Sequence, residues 1–352
     1  MVERGIVTIK SLSDYIKQID NLGRTVFFRG ESKEYDNQTA SAFRPYYGSF
    51  RSQKPFPFVR MVEEFYREVA YKLEDGKEDF IAFAQHHGIP TNLLDITLSP
   101  LTALYFACEK DFDEDGYVYL LNDDYIDVTE LVHKFPNKNL IDVVFANTVK
   151  ELSIIVPLFE DYKKNHPVRF KWFLKNLISE YINCFSNTFD EKEKELHKKL
   201  KDENSYIEAI WWLADYDVDL KQSLLPECDI DVWLYVWLQH RYIKKAKEQT
   251  EIIFNFLFFP TMLYRPIIKF ERGRTQQGLF AYQGYVMYVE PTYNYNVLAT
   301  QTIFFGKTIF RIKNKKEILK SLDKLGINKK TLFCDYDSIA SYIKDKYTVE
   351  VQ

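Results

Sequence analysis

Ala84-Gln85-His86-His87-Gly88-Ile89-Pro90-Thr91-Asn92-Leu93-Leu94-Asp95-Ile96-Thr97, with Ser99-Pro100-Leu101-Thr102-Ala103-Leu104-Tyr105-Phe106-Ala107-Cys108 close behind, is the stretch on which the fold turns. It reads as a helix end, a turn, a short strand and a second helix. Gly88 stands where a left-handed residue closes a helix, and Pro90 blocks its continuation. Leu93–Thr97 is an apolar strand interrupted by one carboxylate, Asp95. Ser99 suits an N-cap with Pro100 at the first helical position. Leu101, Leu104, Tyr105 and Cys108 then recur at i, i+3, i+4 and i+7, which predicts one apolar stripe on a core-packing helix.

Working outward, Ser11–Ile19 has polar starters and apolar residues at helical spacing, and Thr25–Gly30 reads as a buried strand closed by glycine. Residues 31–57 read as a loop, and Phe58–Glu74 and Asp79–His87 as helices. Tyr117–Leu121 is the next strand. From about Asn147 to Ala246 the character changes. Glu191–Asp202 is a charge-laced helix, and Trp233, Leu234, Trp237 and Leu238 form a helical stripe read as core. Strand-like text returns at Pro266–Phe270, Gly278–Ala281, Tyr285–Val289 and Thr308–Ile312, before helices at Lys315–Lys324 and Ser338–Lys344. The expected fold is α+β with a helical insertion: an N-terminal part at 1–146, the insertion at 147–250 and a C-terminal part at 251–352.

The 352 residues are 46% hydrophobic with only 12 Gly and 12 Pro, enough apolar material for a core and against a disordered chain. A net charge of −4 leaves no basic footprint for nonspecific duplex binding. Cys108, Cys184, Cys228 and Cys334 are far apart with no CxxC pair, so buried thiols in a cytoplasmic protein are expected. No apolar run approaches the ~20 residues that span a bilayer, so no membrane partner is expected. No Walker lysine, Ser-His-Asp elbow or HExxH occurs, and His86 and His87, being adjacent, face apart on a helix; no metal is expected.

Phe28-Arg29-Gly30, the 84–97 segment and Pro100–Ala107 together resemble the FRG domain family, named for its Phe-Arg-Gly strand. Arg274-Thr275-Gln276-Gln277-Gly278-Leu279-Phe280 and Leu332-Phe333-Cys334-Asp335 are weaker matches. The chain departs from the family pattern at Asn92, where arginine is usual, at Ile96, where tryptophan is usual, and at Cys334, where proline is usual. The order of a strand-borne arginine, a strand ending in threonine, a small-residue helix and a Tyr-Val-Tyr-Leu strand is also similar to ADP-ribosyltransferase folds. That similarity implies a split mixed β-sheet gripping NAD.

Cleaving the nicotinamide–ribose bond needs a cation on the pyrophosphate, an aromatic beside the nicotinamide and an acceptor near the developing charge. On this similarity Arg29, His86, Thr97 and Gln277 are the catalytic candidates, with Glu271 as the lesser alternative to Gln277. Arg29, Gly30, Gln85, Thr91, Asp95 and Gln276 are the cofactor-binding candidates. Each has a plainer reading: Arg29 as a structural cation paired with Asp95, His86 as a helix C-terminal cap, Thr91 and Thr97 as turn and strand-end hydroxyls. An Asp95 carboxylate in so apolar a strand must find a donor, and Arg29 or the N–H groups opening the helix at Pro100 are the expected ones. The expectation is an NAD-consuming, ADP-ribosyltransferase-like effector of toxin or anti-phage type. The alternative is a non-catalytic nucleotide-binding sensor or protein-interaction module.

Overall fold

The computed structural model describes residues 5–22, 27–35, 38–44, 57–72, 78–121, 124–145, 154–185, 191–200, 229–248, 256–290, 295–301, 303 and 308–349. In chain order the first elements are β1 (Gly5–Ile9), α1 (Leu12–Asp20), β2 (Phe27–Glu31), α2 (Phe58–Val69), α3 (Phe80–His86), β3 (Leu93–Thr97) and α4 (Pro100–Cys108). There follow β4 (Gly116–Leu121), β5 (Tyr125–Asp127), α5 (Thr129–Lys134), α6 (Leu140–Phe145), α7 (Val156–Asn165), α8 (Pro167–Phe185), α9 (Glu191–Leu200) and α10 (Ile230–Glu248). Next are β6 (Thr261–Tyr264), α11 (Glu271–Thr275), β7 (Gly278–Tyr282), β8 (Tyr285–Glu290) and β9 (Tyr295–Thr300). The last are β10 (Thr308–Ile312), α12 (Lys315–Lys324), α13 (Lys329–Phe333) and α14 (Tyr336–Val349).

The protein is α+β, built on a large mixed sheet. Among the described residues eight strands run in the order β1-β10-β4-β2-β3-β7-β6-β5, and β8 and β9 form a separate antiparallel pair. The β1–β10 and β5–β6 pairs are parallel; the other pairs in the large sheet are antiparallel. The sheet nearly parts in its middle. β2 is in register with β4 over five residue pairs but meets β3 only at Phe28 and Thr97.

Strand alternation sorts the faces. Phe27, Leu94, Ile96, Tyr119 and Leu279 share one apolar cluster. On the other face two helical layers stand side by side. Phe28, Val118, Leu120 and Phe310 pack with Tyr15 of α1, Leu104 and Ala107 of α4 and Ile318 and Leu322 of α12. Leu93, Tyr264 and Phe280 join a larger cluster with α2, α3, α7, α8 and α10. Helices from the stretch read as an insertion thus pack in the same cluster as β3, β6 and β7. Trp233 and Trp237 are buried there, 6.3 Å apart and nearly parallel. Cys228 and residues 201–228 lie outside the described residues.

The local stop and start signals act as the sequence predicts. The Ser11 hydroxyl accepts from the Asp14 N–H, and Ser99 accepts from Thr102 with Pro100 opening the helix. Gly88 takes φ +88° just past α3. The α4 stripe is wider than predicted, because Thr102, Ala103, Leu104, Tyr105, Ala107 and Cys108 are all buried. Two glycines explain it. A Cβ on Gly30 would lie 1.8 Å from the Ala103 carbonyl oxygen, and one on Gly116 would lie 2.1 Å from that of Ala107. The α4 backbone therefore seats directly on β2 and β4.

Pro266–Phe270 is not a strand. Proline offers no N–H to a ladder, while the Arg265 N–H donates to the Thr129 hydroxyl and the Ile267 N–H to the Asp79 carboxylate. The strand is Thr261–Tyr264, and a short helix, α11, holds Glu271. Lys329–Phe333 is a further helix, closed at its start by a reciprocal cap between Asn328 and Thr331. Cys334 follows at φ +61°, a value the proline ring of the family pattern forbids.

Gly30→Ala should destabilise the protein by about 3 kcal/mol, since backbone must move to admit the methyl group. Gly88→Ala, with open space around it but a left-handed φ, should cost about 1 kcal/mol. Denaturant unfolding of the two variants measures the difference; equal losses would show that α4 does not rest on β2 as described.

Candidate functional site

A cleft of about 310 Å³ opens on the helical face where β2 and β3 diverge, within the size range of small-ligand sites. Its floor is β2, β3 and β7; α4 forms one wall, and α3 with the 268–276 segment forms the other. It gathers Arg29, Gly30, Gln85, His86, Asp95, Thr97 and Gln276 from the sequence-level candidates, but neither Thr91 nor Gln277.

Asp95 behaves differently from the expected buried ion pair. Its neighbours Leu94 and Ile96 are buried on the opposite face, while its own side chain is exposed at the cleft. The carboxylate accepts from Gln85 Nε2 at 3.2 Å, and neither Arg29 nor the start of α4 reaches it. Gln85 is itself fixed from behind. The buried Thr91 hydroxyl donates to Gln85 Oε1, which turns Nε2 toward the Leu93 carbonyl at 3.0 Å and toward Asp95. Thr91 thus orients a cleft residue without lining the cleft.

Arg29 is the larger correction. It is in register with Tyr119, so its side chain lies on the sheet face away from the Asp95 carboxylate. There Nη2 is 2.9 Å from Glu31 Oε1, and Nε donates to Glu31 Oε1 and to Gln38 Oε1. Gln38 closes the ring by donating to Glu31 Oε2 at 2.6 Å. Nη1 reaches back to the Asp95 main-chain oxygen at 2.7 Å. The guanidinium therefore spans the gap between β2 and β3 where the ladder is missing. It is tied to Asp95 through the backbone rather than the carboxylate.

Thr97 and Gln277 are also placed otherwise. The Thr97 hydroxyl donates to the Gln276 carbonyl at 2.6 Å and accepts from the Ser99 N–H at 2.9 Å, so it joins β3 to the turn after α11. Gln277 adopts φ +47° as that turn enters β7, and its side chain is exposed away from the cleft. Its carbonyl accepts from the Leu98 N–H. Gln276 is held by donating Nε2 to the Leu332 carbonyl at 3.0 Å. Glu271 is exposed at the start of α11 and does not line the cleft. Gly30 borders the cleft, but its lack of a side chain serves the seating of α4. Asn92 is buried and donates to the Gln283 carbonyl, remote from the cleft lining.

His86 does not cap α3; the His87 N–H does that. The His86 ring packs on Phe270 with centroids 4.3 Å apart and planes inclined by 34°, making an aromatic shelf. Burial, aided by the Arg272 and His87 charges, pushes its pKa down to about 4, so it is neutral at pH 7. Burial likewise raises the Glu109 carboxyl on the opposite wall.

Phe270, Arg272 and Glu109 also line the cleft, and no motif in the sequence marks them as site residues. Arg272 lies with its guanidinium 4.4 Å from the Phe333 ring centroid, and among the described residues its side chain makes no hydrogen bond or ion pair. Among the described residues no group of three or more His, Cys, Asp or Glu is placed to hold a metal ion. No helix among them is long and apolar enough to cross a membrane.

Residues 24–116 match the family model described as the FRG domain. The match spans β2, α3, β3 and α4, which form part of the floor and of the walls of the cleft, while the 268–276 segment and β7 lie outside it. No curated protein and no solved structure matches the chain.

Asp95→Ala should change stability by less than about 0.5 kcal/mol, as for other exposed positions. Arg29→Ala should cost about 3 kcal/mol, because it leaves the buried Glu31 carboxylate without its cation. Chemical denaturation separates them, and the reverse ranking would contradict the assignment. The folded pKa of His86 lies below the unfolded value of about 6.5, so the unfolded chain holds more protons between pH 6.5 and 4. Its contribution to stability is present above pH 6.5 and is lost as pH falls toward 4. An NMR titration of the His86 ring should give a midpoint near 4; a midpoint near 6.5 would place the ring in bulk water.

Proposed function

The chain carries an FRG domain, and we propose that the cleft beside its Phe-Arg-Gly strand binds a nucleotide, with NAD the leading candidate. One observation carries this reading. A solvent-facing carboxylate, Asp95, with an oriented amide, Gln85, stands in one cleft with the neutral aromatic shelf of His86 and Phe270. A flat ring on that shelf gains stacking contact. A carboxylate held in place by that amide suits the hydroxyls of a ribose, which would donate to it.

Of the two function classes, binding without cleavage has the firmer support. The Arg29 guanidinium and the Thr97 hydroxyl, the groups an NAD-cleaving site would use, are committed to the protein, and Gln277 lies outside the cleft. The NAD-consuming, ADP-ribosyltransferase-like effector, with its toxin or anti-phage role, rests as a second reading on Asp95. This carboxylate, on the cleft floor, is able to face an oxocarbenium-like ribose.

Thermal denaturation with NAD, ADP and AMP tests the proposal. A nucleotide at ~100 times its Kd should stabilise the protein by about 2.7 kcal/mol. If none of the three shifts the transition, the cleft is not a nucleotide site. Nicotinamide release then separates the two classes: NAD recovered intact supports a sensor. Release that disappears in a folded Asp95→Asn variant supports catalysis.

A further inference from the structure

We infer that Arg272, rather than the arginine of the Phe-Arg-Gly strand, is the receptor for a phosphate or pyrophosphate group in this cleft. The inference deepens the nucleotide reading and names the anionic part of its ligand. Arg272 lines the cleft together with Lys110 on the α4 side. Its guanidinium packs against Phe333, so the planar fork is held in one orientation by an aromatic ring.

Three carboxylates are near enough to act on it through space, Asp95, Asp335 and Glu109, yet none pairs with it. Each is occupied or disfavoured. Asp335 accepts from the Ser338 N–H at 2.7 Å and its hydroxyl at 2.8 Å. Asp95 accepts from Gln85, and burial raises the Glu109 carboxyl. Among the described residues the buried Arg272 Nε has no hydrogen-bond partner.

The buried Nε has lost hydration that no hydrogen bond among the described residues replaces. A phosphate oxygen pair matches the guanidinium fork in shape and sign. Arg29 lacks this freedom, since Glu31, Gln38 and the Asp95 carbonyl take its donors on the other face. The His86–Phe270 shelf and the Asp95–Gln85 pair share the cleft, so ring, sugar and phosphate would each meet a group of fitting chemistry.

Calorimetric titration of the full chain with sodium pyrophosphate and with ADP tests this. The wild type should bind both. Arg272→Gln should weaken both at least tenfold, and Arg272→Lys, which keeps the charge and loses the fork, several-fold. Arg274→Gln, an exposed charge on the same helix and outside the cleft, should leave both within twofold. Melting of each variant without ligand reports whether it folds. If Arg272→Gln does not, Arg272→Lys decides.

Wild type that fails to bind pyrophosphate, or a folded Arg272→Gln that binds ADP as the wild type does, overturns the inference. Such failure alongside retained NAD binding leaves the nucleotide reading standing. Pyrophosphate bound through Arg272, with no nucleotide bound, overturns that reading and leaves this one.

Discussion

A single residue pair, Phe28 with Thr97, is all the ladder that joins β2 to β3, and the Arg29 guanidinium closes the rest of the gap from behind. A sheet parted at its centre exposes main-chain donors and acceptors that must be satisfied. Arg29 supplies a donor to the Asp95 carbonyl, and Glu31 and Gln38 hold the charged fork in place. The divergence this permits is the floor of the cleft. Closing it with a regular ladder would remove the concavity on which the proposed function depends.

The walls follow from packing on the same face. Glycines at 30 and 116 let α4 press its backbone onto β2 and β4, drawing one helical layer toward that half of the sheet. The second layer collects on β3, β6 and β7 around the aromatic residues of α3, α7 and α10. The cleft is what remains between the two. Its polar groups come from the strands of the floor and from the edges of both layers, and their charges are unevenly met: Asp95 accepts from Gln85, whereas among the described residues Arg272 contacts an aromatic ring and makes no hydrogen bond or ion pair.

Much of the fold was legible, and for identifiable reasons. Ser11, Gly88, Ser99 and Pro100 act through local hydrogen bonds and backbone angles, which depend on a few neighbouring residues. The spacing in α4 predicts too narrow a stripe because it reports side-chain burial on one face and not the backbone contact that Gly30 and Gly116 admit. Pro266–Phe270 looked like strand text, but its donors go to Thr129 and Asp79, which lie far away in the chain. At the site, Gln85, His86 and Asp95 were found together because they are local to one helix–turn–strand segment. Nothing in the sequence sets Arg272 apart from its neighbours, or shows that Gln277 turns left-handed and outward.

The sequence by itself determined the helix caps, the main strands, the FRG resemblance and the set of polar residues around 85–97, because these rest on short-range stereochemistry and recurring spacing. Tertiary structure decided which face each side chain serves and which charge is left over. Strand alternation against Tyr119 sends Arg29 to the far side of the sheet, and the Arg272 guanidinium packs on Phe333 beside the cleft with no ion pair among the described residues. Both outcomes depend on partners remote in the chain.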